Sequence, residues 1–242
     1  MRVEIWSDIA CPWCAVGKRR FERALAAFSH RDDVEVEWRS FELDPRAPRV
    51  HGVPAVQLLS RKYGVPVEQA QAMNARLTGE AAKEGLAFDL ERLQVGNTFD
   101  AHRLIHHAHA HGRRDAMVER LFRAYLSEGA ALGDVEVLAR LAGEVGLDVE
   151  ETRTMLEGST FASEVRADEA RARDFGITGV PFFAIDERYG ISGAQPPEAF
   201  LAALTQAWEE GAGDTAAVST SDAVGNAVVD ADEGCEGGSC AT

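Results

Sequence analysis

The sequence has little cysteine and almost no lysine. Its four cysteines form two close pairs, and none occurs between Cys14 and Cys235. In a secreted protein with a disulfide framework the cysteines are spread along the chain, so this distribution indicates two cysteine pairs with separate chemical roles. Lysine occurs 3 times against 22 arginines, and the formal net charge is −15. That charge argues against a nucleic-acid surface, which needs clustered basic residues to displace counterions.

Long apolar runs are also missing. No stretch approaches the 18 apolar residues of a membrane-spanning helix, so no membrane partner is predicted. Met1 leads almost directly into the first strand pattern, without a basic and apolar leader, and we therefore expect a cytoplasmic protein. The chain has 242 residues and 45% hydrophobic content, which suits one large domain or a domain with an insertion. It could be a monomer or a homodimer.

The first forty residues predict a strand, a helix and a second strand. Val3 and Ile5 alternate with polar residues, as the apolar residues of 34–38 do. Between these strands, apolar residues recur at helical spacing from Phe21 to Phe28. A strand, helix and strand of this length form a parallel βαβ unit.

A Cys-Pro-Trp-Cys sequence lies between the first strand and the helix. Cys11 falls at the helix N-terminus, where free backbone N–H groups stabilise a thiolate and the thiol pKa can drop from about 8.5 to roughly 3.5–7.5. Pro12 suits a first helical turn, and Trp13 follows it. Cys14 is three residues on, so its sulfur can attack a mixed disulfide on Cys11. We predict Cys11 as nucleophile and Cys14 as resolving thiol.

Asp8 lies three residues before Cys11. It could hold or accept a proton during thiol exchange, or it could simply accept hydrogen bonds from its loop.

The middle of the chain is predicted to be helical, with no convincing strand from 53 to 175. Gly133-Asp134 is expected to open one of these helices, and Ser159-Thr160 the last. We expect an N-terminal βαβ unit at 1–45, an all-helical insertion at 46–175 and a ββα unit at 176–210. Residues 211–242 carry acids but no basic or aromatic residue, which predicts a flexible acidic tail.

A β-hairpin is predicted after the insertion, followed by a closing helix. Its strands are Phe182–Ile185 and Ile191–Gly193, and Pro197 opens the helix. The hairpin begins immediately after Val180 and Pro181.

Taken together, the motifs resemble one family. The segments that carry the resemblance are the Cys-Pro-Trp-Cys stretch, Asn97–Arg103, Thr178–Phe183 and Ser192–Gln195. Over about residues 2 to 209 the chain resembles the FrnE-type branch of DsbA-family oxidoreductases. The resemblance implies an α/β thioredoxin fold with a large all-helical insertion, and a thiol-disulfide oxidoreductase or isomerase without a cofactor.

Further expectations follow from the resemblance alone. It implies a cis bond between Val180 and Pro181, with the Val180 backbone free to pair with a substrate beside Cys11. It places Asn97 and His102 near the mouth of the site. Its members can also carry a C-terminal cysteine pair, here Cys235 and Cys240, which we predict to act as an auxiliary redox pair. Protein or peptide thiols and disulfides are the expected partners, with glutathione as a further candidate.

Two alternatives remain open. Kappa-class glutathione transferases and 2-hydroxychromene-2-carboxylate isomerases share this architecture and bind glutathione, but they generally carry serine in place of Cys11. This chain also has Ala194-Gln195 where their pattern has Ser-Asp. The second alternative is a zinc protein in which Cys11, Cys14, Cys235 and Cys240 build a four-thiolate site.

Five histidines lie between 102 and 111. His102, His106 and His109 follow one helical spacing, and His107 and His111 are four residues apart. No cysteine is near them and Asp115 is the only close acid past the run, so we predict a packed or solvated helix face and no metal site.

Overall fold

The computed structural model describes residues 1–216, and a mixed four-stranded sheet is at their centre. The strands are β1 (Arg2–Ser7), β2 (Glu35–Ser40), β3 (Phe182–Ile185) and β4 (Tyr189–Ser192). Their order is β2-β1-β3-β4, with β1 parallel to β2 and the other neighbours antiparallel. The βαβ unit and the later hairpin are therefore confirmed, and the chain positions its first cysteine where β1 ends.

Two helices cover one face of the sheet: α1 (Pro12–Ala27) and α9 (Pro197–Ala216). The aromatic rings of Phe21, Phe183 and Phe200 meet here, with centroids 4.6–5.8 Å apart. Burying each such ring contributes about 1.5–3 kcal/mol, so this contact fixes α1 on the sheet.

The helical insertion is confirmed as helical throughout its described elements. It contains α2 (Ala55–Tyr63), α3 (Val67–Lys83), α4 (Phe99–Ala110), α5 (Arg114–Leu126), α6 (Val135–Glu144), α7 (Val149–Glu157) and α8 (Ala162–Asp174). Between β2 and β3, within residues 1–216, there is no further strand. Asp134 caps α6 with its side chain, as the sequence predicted, and Asp148 does the same for α7.

The predicted start of the last insertion helix was two residues early. We expected Ser159-Thr160 to open it, but the N-cap of α8 is Phe161, in the left-handed conformation with φ 63°. This non-glycine residue tolerates the conformation because its partly buried ring packs against His106 and His107.

The closing helix is longer than composition suggested. It continues to Ala216, six residues past the boundary placed at 210. Once a helix is nucleated, each further residue adds a backbone hydrogen bond at small entropic cost, so a polar sequence can extend it. Cys235 and Cys240 lie outside the described residues.

Helix α8 lies against the other face of the sheet through a group of charged residues. Buried Glu4 on β1 forms ion pairs with Arg39 on β2 and Arg171 on α8. Asp168 on α8 pairs with Arg39 and accepts a hydrogen bond from the Ser40 backbone N–H at 2.9 Å. Because each buried charge has an opposite partner, α8 is held in one position on the sheet.

Within residues 1–216, no helix is both long enough and apolar enough to cross a membrane.

Candidate active site

Cys11 is the N-cap of α1, directly after the loop that leaves β1. Its backbone is extended (φ −93°, ψ 108°), and its N–H donates to the Asp8 carbonyl at 3.0 Å. Pro12 follows as the first helical residue, and both Pro12 and Trp13 are half-buried. The Cys11 sulfur therefore lies at the end of the helix where unpaired N–H groups concentrate.

Both sulfurs lie at this end of the helix as free thiols. Cys11 is 7% exposed and Cys14 only 1%, so Cys11 is the more accessible of the two. Burial raises the pKa of Cys14 well above its ordinary value, and the neighbouring Cys11 raises it further. Ser7 acts in the opposite direction but does not offset burial. Cys14 is thus held as a neutral thiol at neutral pH.

The loop before β3 completes the surroundings of Cys11. The Val180–Pro181 bond is cis, as expected. The Cys11 thiol lies 3.5 Å from the Val180 carbonyl oxygen, within reach of a weak S–H···O contact. The Val180 N–H has no hydrogen-bond partner in the described part of the chain, so it can donate to a bound molecule.

Helix α1 approaches this loop through a glycine. A β-carbon on Gly17 would lie 3.0 Å from the Pro181 ring and 3.4 Å from the Ala194 side chain. A larger residue would push the loop away, so Gly17 sets the distance between helix and loop. The sequence analysis did not identify Gly17, because its role depends on a contact more than 160 residues along the chain.

Asp8 is fully buried behind the cysteines. It accepts hydrogen bonds from the backbone N–H groups of Ala10 (3.1 Å) and Leu43 (2.8 Å). Its carboxylate also lies 3.5 Å from Nε2 of His102, too poorly directed for a hydrogen bond, and we treat this contact as an ion pair. Asp8 therefore accepts hydrogen bonds from its loop, which was one of the two roles expected from the sequence.

The Asp8–His102 pair shifts both pKa values. Burial alone would raise the pKa of Asp8, but His102 and the two backbone donors lower it overall. Burial alone would lower the pKa of His102, but Asp8 and then Glu42 raise it overall. The attraction between the two side chains, together with the backbone donors, therefore outweighs burial and favours the charged pair over its neutral form.

A small cavity lies beside His102. Its volume is about 10 Å³, and Ser7 and His102 line it. The Ser7 hydroxyl and Nε2 of His102 are both buried without a hydrogen-bond partner among residues 1–216. One water molecule needs about 10–15 Å³ and two to four polar partners, so the cavity fits a single water.

Asn97 lies just before α4, the helix that carries His102. Its side chain accepts from the Phe99 N–H at 2.9 Å and donates to Glu42 at 3.2 Å. Thr98, although it is the N-cap, makes no capping bond with its side chain. Asn97 therefore reaches the group around His102 through Glu42, a buried acid that the sequence analysis missed.

A larger cleft of about 330 Å³ lies beside α1. Ala15, Lys18, Phe88 and Glu119 are among the residues that line it. None of the predicted site residues lines it, so we assign it no part in the thiol site.

The comparisons with known proteins agree with this geometry. The sequence model of the DSBA-like thioredoxin domain family matches residues 2–205. The crystal structure of a probable DsbA oxidoreductase from Streptomyces coelicolor is 53% identical, with a TM-score of 0.84 over 87% of this chain and 91% of that one. An uncharacterized protein of Bacillus subtilis (strain 168), YwbO, is 30% identical over 85% of this chain and 96% of its own length.

The fold is shared more widely. A 2-hydroxychromene-2-carboxylate isomerase structure has a TM-score of 0.64 at 15% identity, over 91% of this chain and all of that one. At that identity the likeness concerns the fold alone. The family match covers most of the chain and includes Cys11, Cys14 and the cis-proline loop. The chain belongs to the DSBA-like thioredoxin domain family.

Proposed function

We propose that this protein exchanges disulfides with protein or peptide substrates through Cys11 and Cys14. One observation carries the proposal. The more exposed of the two thiols, Cys11, lies at a helix N-terminus and 3.5 Å from the cis-proline loop, while burial raises the pKa of the other, Cys14. This arrangement gives the two sulfurs different tasks, because only the thiolate attacks disulfides.

In the first step, the Cys11 thiolate attacks one sulfur of a substrate disulfide. A Cys11–substrate disulfide forms, and the other substrate sulfur leaves as a thiolate. The Val180 carbonyl already faces Cys11, and the Val180 N–H has no hydrogen-bond partner among residues 1–216, so the loop can pair with an extended substrate backbone.

In the second step, Cys14 loses its proton and attacks the sulfur of Cys11. The Cys11–Cys14 disulfide forms and the substrate leaves as its second thiolate, so two electrons have passed from the protein to the substrate. The reverse sequence oxidises a substrate. We propose that the proton of Cys14 passes through Ser7 and the adjoining cavity toward the Asp8–His102 pair.

Several finer assignments belong to this proposal. The FrnE-type subclass, the cytoplasmic location and glutathione as a small thiol partner stay predictions. So do the supporting roles of Pro12, Trp13 and Asn97, and the division of the chain at 45, 175 and 210. The alternative four-thiolate zinc site needs Cys235 and Cys240, outside the described residues.

Single-cysteine variants test the proposal. We expect Cys11→Ser to abolish reduction of a peptide disulfide, and Cys14→Ser to accumulate mixed disulfides at Cys11 that mass spectrometry detects. A glutathione-dependent isomerase needs no resolving thiol, so it would keep its activity in Cys14→Ser. Rapid turnover by Cys11→Ser, or trapping at Cys14, would contradict the assignment.

We also propose that Cys235 and Cys240 exchange with Cys11 as a second redox pair. Their attachment to the same chain would hold them at an effective concentration on the order of millimolar. Deletion of residues 230–242 tests this step. We expect slower exchange in the truncated chain, and a crosslink from Cys11 to the tail pair in a Cys14→Ser background. Unchanged rates together with no crosslink would contradict the relay while leaving the main proposal intact.

A further inference from the structure

Three potential metal ligands meet at the contact between α4 and α7. His107 lies in the last turn of α4, His111 is the C-cap residue one turn further on, and Glu151 lies in the first turn of α7. One ligand atom from each of the three lies within 4.8 Å of the other two. Nε2 of His111 is 3.5 Å from a Glu151 carboxylate oxygen.

The environment of His107 is unusual for a histidine without a ligand. Its side chain is in the interior, with the residue 3% exposed, and its Nε2 has no hydrogen-bond partner within residues 1–216. Leaving a buried polar atom without a hydrogen-bond partner destabilises a folded protein, so such atoms are rare. The ring lies against that of His111, with centroids 4.5 Å apart, and against Phe161 on the other side. Burial and then His111 lower its pKa, which keeps the imidazole neutral, as a ligand must be.

His111 is oriented by a backbone group. Its Nδ1 lies 2.9 Å from the carbonyl oxygen of His107, where it can only donate a hydrogen bond. With the proton on Nδ1, the lone pair of Nε2 is free and faces Glu151. Metal-binding histidines use this arrangement, in which a carbonyl fixes the tautomer from behind.

We propose that His107, His111 and Glu151 form a binding site for Zn²⁺. Zinc takes imidazole nitrogens and carboxylate oxygens at about 2.0–2.2 Å, so two ligands of a tetrahedral ion lie roughly 3.3–3.6 Å apart. The His111–Glu151 pair already has this separation. The side chains of His111 and Glu151 are 40% and 58% exposed, so they can close on the ion by rotating. The exposed side leaves a fourth position for water or another ligand.

This site is separate from the thiol site and from the four-thiolate alternative. It uses no cysteine, and it joins two helices of the insertion. No metal site was predicted here from the sequence, because Asp115 was the only close acid past the histidines. The acid that completes the set instead comes from Glu151, forty residues after His111, and only the folded chain brings it close.

Zinc titration of the full-length chain tests the proposal. All thiols are first alkylated, so that cysteine ligands do not contribute, and bound zinc is measured by competition with a chromogenic chelator. We expect one Zn²⁺ per chain. His111→Ala and Glu151→Gln each remove one exposed ligand, and each should weaken zinc binding at least tenfold.

Two neighbours serve as matched controls. His109 is exposed on α4 and Glu150 is exposed on α7, and neither belongs to the cluster. His109→Ala and Glu150→Gln should therefore bind zinc as the unmodified sequence does, and zinc should raise the melting temperature of both. Absence of zinc binding would overturn the proposal. So would equal affinity in all four variants, or weakening by the controls as large as that by His111→Ala.

Discussion

At the scale of single residues, a buried ion pair between Asp8 and His102 lies behind the cysteines. Two opposite charges lie out of water beneath the cysteines, and backbone donors satisfy the carboxylate. Removing one partner of such a pair strongly destabilises a protein, because the other charge is left buried and uncompensated.

We therefore predict that His102→Gln destabilises the protein by about 3–5 kcal/mol near pH 6, the usual cost of removing one partner of a buried ion pair. The pKa of His102 is raised in the folded state. Its stabilising effect is then fully present below the unfolded pKa, about 6.5, and declines as pH rises through the folded pKa. The difference between the two proteins should consequently be smaller at pH 9 than at pH 6.

Urea denaturation at the two pH values measures this difference. His109→Gln, an exposed change on the same helix, should show little destabilisation at either pH. The Asp8 contribution has the opposite pH dependence. Its pKa is lowered, so its stabilising effect is present above about 3.8 and is lost only as pH falls through the folded value. A difference that grew from pH 6 to pH 9 would contradict the ion pair.

Only some of the residues around the cysteines could be predicted from sequence patterns. Cys11, Cys14 and Asp8 are close in sequence, and their proximity could be predicted. The partner of Asp8 is 94 residues away, and Glu42 and Ser7 carried no distinguishing pattern. Which buried polar groups pair is decided by tertiary packing, so no local spacing could have identified these partners.

At the scale of elements, the contact between α1 and the cis-proline loop aligns the two halves of the site. Gly17 faces Pro181, and a β-carbon there would be 3.0 Å from the proline ring. Ordinary carbon contacts are about 3.5–4.0 Å, so even alanine must displace the loop by several tenths of an ångström.

We predict that Gly17→Ala slows disulfide exchange and gains little or no stability, and that Gly17→Val destabilises the protein. Gly79 supplies the control, because it lies inside α3 with nothing within 4 Å of its added β-carbon. Gly79→Ala should gain roughly 0.8–1.0 kcal/mol from helix propensity alone, with unchanged exchange. Thermal unfolding and a peptide-disulfide assay measure both effects. If Gly17→Ala gained as much as Gly79→Ala without slowing exchange, the contact would not control the loop.

Elements with strong local signals could be predicted well from the sequence. Alternation identified β1 and β2, and Asp134 marked the start of α6. The start of α8 was misplaced because Phe161 adopts a left-handed conformation, stabilised by tertiary contacts with α4. The end of α9 was misplaced because the composition shows only where the apolar residues stop. A helix can continue past the last residue that it buries.

At the scale of the whole molecule, charge is the dominant feature outside the site. The formal charge is −15, and five of the acids lie in 217–242, where no basic residue occurs. Residues 1–216 alone therefore carry −10. A net charge of this size repels acidic partners and attracts basic ones over a distance set by the salt concentration. The screening length is about 30 Å at 0.01 M salt and about 3 Å at 1 M.

We predict that the protein prefers basic disulfide substrates at low salt. The test uses two peptides that each contain one disulfide in the same local sequence, one with added lysines and the other with added glutamates. At 0.01 M salt the lysine peptide should react about tenfold faster than the glutamate peptide. The ratio should approach one at 1 M, because screening removes the long-range attraction while the chemistry at Cys11 is unchanged.

Stopped-flow measurement of mixed-disulfide formation gives both rates. An uncharged peptide is the control, and its rate should not depend on salt. A ratio that persisted at 1 M would instead indicate direct contacts between the peptide charges and the site, and a faster acidic peptide would contradict steering by net charge.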